Sequence, residues 1–124
     1  MFVAAFRGQD PLAAAALAFI EDRNRQLLIS DYVLLELMPK VVYHRNAVEE
    51  NFYRGILGLA TRVANSDELV QLALEEGRRT GISGIDALHV AAAAIAGAAE
   101  LITSERSTKP IHRTALVRVV SLAE

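Results

Sequence analysis

Apolar positions change their spacing repeatedly along the 124 residues, and each change marks a predicted element. Asp10-Pro11 combines an N-cap residue with a first-turn proline, and Leu12, Ala16, Phe19 and Ile20 then follow a helical period, predicting a helix that ends near Asn24. Gln26 to Ser30 is a short apolar run between polar residues and predicts a strand. It feeds a helix capped by Ser30 or Asp31 that carries Leu34, Leu35, Leu37, Met38, Val41 and Val42. A further helix pattern runs from about Asn46 through Phe52, Ile56 and Leu59, followed by a short strand over Ala60 to Ala64. Asn65 and Glu68 have capping-box spacing for a helix from Glu68 to Arg79, which Gly77 or Gly81 should stop. Ser83 and Asp86 repeat that spacing ahead of an alanine-rich helix ending near Gly97. Glu100 to Thr103 then predicts a strand, Ser104 to Pro110 a loop, and Leu116 to Ser121 a last strand.

Strands that alternate with helices imply a mainly parallel sheet, because parallel neighbours need crossover connections. The expected fold class is α/β: a three-layer α/β/α sandwich formed as a single domain over residues 1–124. Chemistry on such sheets gathers at the carboxyl ends of the strands. Composition agrees: 52% of residues are apolar but only 6% aromatic, which favours closely packed helices with small side chains. There is no cysteine. Thiolate metal sites and cysteine nucleophiles are therefore excluded, and a cytoplasmic protein is expected. The longest uncharged run, Ala87 to Ala99, has 13 residues, short of the roughly 20 that cross a bilayer. A net charge of −2 supplies no global field for nucleic acid. From Glu105 onward, however, Arg106, Lys109, Arg113 and Arg118 outnumber two acids, an excess that suits either a solvated edge or contact with phosphates.

Three acids stand where such a fold places chemistry. Glu36 lies within a strongly apolar helical stretch, where it either points into a cleft or pairs with Lys40 at the surface. Asp86 completes the Ser83 capping box, and His89 three residues on would share its face. Glu105 follows a strand end. Taken singly, each has an ordinary structural explanation.

Ser83-Gly-Ile-Asp-Ala-Leu-His-Val-Ala-Ala-Ala94, followed by Gly97-Ala-Ala-Glu-Leu-Ile-Thr-Ser-Glu105, resembles the second half of a PIN domain, the nuclease fold of VapC-type toxins. Leu28-Ile-Ser-Asp-Tyr-Val-Leu-Leu-Glu-Leu37 is similar to that family's strand and following helix, so the resemblance covers nearly the whole chain. It implies a metal-dependent endoribonuclease, possible toxin of a toxin–antitoxin pair, in which Glu36, Asp86 and Glu105 are the catalytic acids and hold one or two Mg²⁺ or Mn²⁺ ions. The expected partners are RNA, met by Arg106, Lys109 and Arg113, an antitoxin protein, and a second copy of the chain in a homodimer or other homo-oligomer.

The chain departs from the family pattern at two points. Glu105 stands where the family has aspartate, one methylene shorter, and Met1 begins just after the place of the family's first strand and its aspartate. Weak or absent cleavage by this chain is therefore expected, with Phe2 to Phe6 or a segment of a second chain filling the slot between the strands at Gln26 and Glu100. The alternatives are a longer native protein that is active, a degenerate PIN-like module that binds RNA or a protein partner without cleaving, and a different α/β domain.

Overall fold

The computed structural model describes residue 2 and residues 12–123. In chain order the elements are α1 (Leu12–Glu21), β1 (Leu28–Ser30), α2 (Asp31–Tyr43), α3 (Ala47–Leu57), β2 (Thr61–Val63), α4 (Asp67–Thr80), α5 (Gly84–Ile95), β3 (Glu100–Thr103), a 3₁₀ turn (Pro110–Arg113) and β4 (Arg118–Ser121). The chain divides into two compact units, residues 1–62 and 63–124.

In the first unit, strand pairs with strand β1 to β2, and the Thr61 amide donates to the Leu27 carbonyl. Ser30 ends β1 and caps α2 in one step: its backbone is extended and its hydroxyl accepts the Val33 N–H. Asn46 caps α3, its side-chain amide oxygen accepting the Glu49 N–H. The core gathers Phe2, Ile29, Leu37, Val41, Tyr53 and Ile56. Phe2 carries helical rather than extended backbone and packs into this core. The rest of the Phe2 to Phe6 segment, like the Asp10-Pro11 cap, lies outside the described residues.

In the second unit, Ser66 caps α4 and Ser83 caps α5, each hydroxyl accepting an N–H three residues on. Gly81 stops α4 at φ +73°, a left-handed turn that glycine takes without strain from a Cβ. Gly77 stays inside the helix. Helices α4 and α5 pack on one another, and Leu69 and Ala73 of α4 and Ala87, Val90 and Ala91 of α5 are all buried. The small side chains allow close approach, and Ala91 is 0% exposed. Ala91→Leu should therefore lower unfolding free energy by about 1–3 kcal/mol through overpacking. Chemical denaturation of the variant measures this, and an unchanged midpoint would mean that the α4–α5 contact is loosely packed.

Strands β3 and β4 run parallel in the register Glu100 with Arg118 through Thr103 with Ser121. Helices alternating with parallel strands make the chain α/β, as its sequence predicts. The expected single sheet is instead seen as two pairs, β1 with β2 and β3 with β4. Strands of three or four residues offer few ladder bonds, and among the described residues no further strand links the pairs.

Candidate active site

Asp86 occupies the first turn of α5 and is half-buried. Its N–H donates to the Ser83 hydroxyl at 3.2 Å, so the backbone here serves the cap, and the partial positive charge of a helix's first turn favours an acid at this position. His89, one turn on, is also half-buried. Glu105 is exposed just beyond β3. Its N–H donates to the Thr103 hydroxyl at 3.1 Å, and its carbonyl lies 3.1 Å from Nε2 of His112. Arg106, Lys109 and Arg113 are exposed along the same connection. Arg113 is partly engaged already: one guanidinium N–H donates to the Thr80 carbonyl at the end of α4, a cationic contact added to the Gly81 cap.

The most deeply buried charge in this unit lies elsewhere and escaped the sequence reading. Glu76 is 2% exposed and receives both prongs of the Arg79 guanidinium, at 2.7 and 2.9 Å. The Thr114 hydroxyl donates to the same carboxylate. Arg79 holds the Glu76 carboxyl below its ordinary pKa, against the opposing effect of burial and with help from Thr114. The signal was present in the chain: Leu69, Ala73 and Glu76 follow one helical stripe, with a cation three residues further on.

Glu36 stands in the first unit, exposed on α2 between exposed Leu35 and buried Leu37. Tyr32, one turn earlier, is buried, and Lys40, one turn later, is exposed. The same helix borders an open apolar groove of about 710 Å³ lined by Leu34, Leu35, Met38, Val42 and Tyr43 among others. At its polar edge Arg62 donates to Asp31 at 2.6 Å. This contact raises the Arg62 pKa further, and burial together with the Asp31 charge raises that of the Tyr32 phenol.

Asp86 and Glu105, both in the second unit, carry carboxylate oxygens, donors that suit a hard cation. Among the described residues no three acidic or histidine side chains gather into a group able to hold a metal ion. Such carboxylates would suit a hard divalent cation held by one or two of them with water completing the shell, rather than an all-protein cage.

Asp86 in the first turn of α5 and Glu105 just past β3 both belong to the second unit of an α/β protein. The family model for the PIN domain matches residues 1–114, and the chain belongs to the PIN domain family, a nuclease-type fold. No curated protein matches it. Among the described residues no helix is long and apolar enough to cross a membrane.

Proposed function

We propose that the chain acts on RNA as a metal-dependent endoribonuclease, in the manner of a toxin countered by a protein antitoxin. The observation that carries this reading is the family match over residues 1–114, which spans Asp86 in the first turn of α5 and Glu105 beyond β3. Asp86 and Glu105 would hold a divalent cation, and Glu36 is the third acid of the reading. A bound Mg²⁺ or Mn²⁺ supplies an activated water and steadies the leaving oxygen. The chain itself supplies the carboxylates, a helix terminus that favours the Asp86 anion, and cations that meet the phosphate backbone.

Labelled RNA incubated with the protein and Mn²⁺ tests this directly. Slow cleavage that EDTA abolishes is the expected result, and cleavage that persists in EDTA would sink the metal-carboxylate reading. Retention of RNA with no cleavage at all would favour a second reading, a non-catalytic binding module.

Arg106 and Lys109 provide the basic contact to RNA. Arg106→Glu with Lys109→Glu should weaken binding and flatten its salt dependence by about 1.4 log units per log unit of salt, about 0.7 for each single-strand phosphate left unneutralised. An unchanged slope in a fluorescence titration removes these residues from the interface. Arg113 is tested separately because its substitution also removes the contact with the end of α4.

The apolar groove on α2 supports self-association, with Leu35 at 68% and Tyr43 at 81% exposure. A concentration-independent monomer by light scattering would rule it out.

A further inference from the structure

Both backbone polar groups of Glu105 are held by side chains. The Thr103 hydroxyl accepts its N–H, and the ring of His112 reaches its carbonyl. A carbonyl only accepts, so Nε2 of His112 carries the proton and donates. Such a contact from a lone surface histidine would define little. Here, however, the histidine belongs to a turn that is fastened along its length.

The His112 N–H donates to the Lys109 carbonyl, closing the 3₁₀ turn. Ile111 beside it is 4% exposed, so the turn is pinned by an apolar anchor as well. On the other side of His112, Arg113 donates to the Thr80 carbonyl, and the hydroxyl of Thr114 donates to buried Glu76. The Arg79 fork fixes Glu76 in turn. Hydrogen bonds from three successive residues, His112, Arg113 and Thr114, thus tie the turn both to buried Glu76 and the end of α4 and to one exposed acid.

We propose that His112 is a positioning residue for Glu105. It fixes the backbone from which the carboxylate is presented, so that this acid offers its oxygens to a divalent cation from a set direction. The inference rests on the reading of Glu105 as a cation-binding acid. Its physical basis is the length of glutamate: three rotatable bonds separate backbone from carboxylate plane, and each must be ordered on binding. A backbone that drifted as well would spread the carboxylate over a larger volume and weaken every cation contact it makes. Groups that orient a metal-binding side chain without touching the metal commonly command about 10 to 100-fold in affinity.

The test uses the 124-residue chain and three readouts. Nitrogen NMR of neutral His112 should show the Nε2–H tautomer. His112→Ala should speed exchange of the Glu105 amide and should weaken Mn²⁺ binding, measured by paramagnetic relaxation, by about tenfold. His112→Gln should recover most of both effects, because its side-chain amide can donate from nearly the place of Nε2, whereas a general loss of folding would not be rescued in this graded way. Amide exchange that is the same in His112→Ala as in wild type would overturn the proposal. So would faster exchange with unaltered Mn²⁺ affinity, or a glutamine that rescues neither. Mn²⁺ binding that is insensitive to Glu105→Gln would bring down the reading of Glu105 itself, and with it the role given to His112, even where the exchange data show the contact to be real.

Discussion

Asp86→Asn should reduce metal-dependent RNA cleavage by about a hundredfold or more while the protein stays folded. The activity loss follows from ligand chemistry: an amide oxygen is a much poorer ligand for Mg²⁺ or Mn²⁺ than a carboxylate, and removing a ligand costs more than the roughly 10 to 100-fold attached to its supporting partners. Stability is expected to change little because the local structure depends on the backbone of this residue. The Asp86 N–H donates to the Ser83 hydroxyl, and asparagine keeps that donor. What the fold loses is the charge near a helix N-terminus, about 0.3–1 kcal/mol. Initial cleavage rates set beside a thermal melt separate the two effects. Wild-type cleavage in the variant would reduce Asp86 to a helix-start residue.

This pairing of roles explains why Asp86 was legible only in part. Ser-x-x-acid ahead of an apolar run predicts the helix start, and the structure places the cap at Ser83 with the helix beginning one residue later. The same spacing gives the acid a complete structural purpose, so chemistry enters only through the wider resemblance. At α4 the box was offset by one: Ser66 rather than Asn65 is the cap, because the serine hydroxyl meets the Leu69 N–H from an extended backbone. Two glycines competed as helix stops, and the left-handed backbone at Gly81 decided between them. These are local matters, decided within four residues of the signal.

Longer-range features were harder to read. Strand positions were found to within two residues, yet which strands pair depends on partners that no local spacing specifies. Glu36 shows the same limit on a helix. Its apolar neighbours left both a cleft and a surface position open, and because adjacent residues on a helix diverge by about 100°, an exposed Glu36 next to a buried Leu37 is ordinary geometry. His112 carried no signal at all, since its contact to Glu105 spans a loop whose course is set by Ile111, Arg113 and Thr114.

Glu76 is where the largest loss of stability is expected. Glu76→Ala should lower unfolding free energy by about 2–3 kcal/mol at neutral pH, since it removes several hydrogen bonds to a charged group. It also strands the Thr114 hydroxyl. The figure falls below that for a fully buried pair because Arg79 is 53% exposed and regains water when its partner is gone. The pH dependence has a defined sign. Arg79 depresses the pKa of Glu76 in the fold from 4.5, its ordinary value. The contribution is therefore complete above that ordinary value and is lost as pH falls through the lower, folded one. Denaturant unfolding of wild type and Glu76→Gln should accordingly differ most near neutrality and converge in acid, beginning below about pH 5. A gap that stays constant from pH 7 to about pH 3 would show that packing around the side chain, rather than its charge, stabilises the end of α4. Because Thr114 ties this carboxylate to the turn carrying His112, protonating Glu76 should also loosen the Glu105 loop. Exchange of the Glu105 amide, corrected for its intrinsic pH dependence, should therefore rise as Glu76 is neutralised, and it should show no such rise in Glu76→Gln.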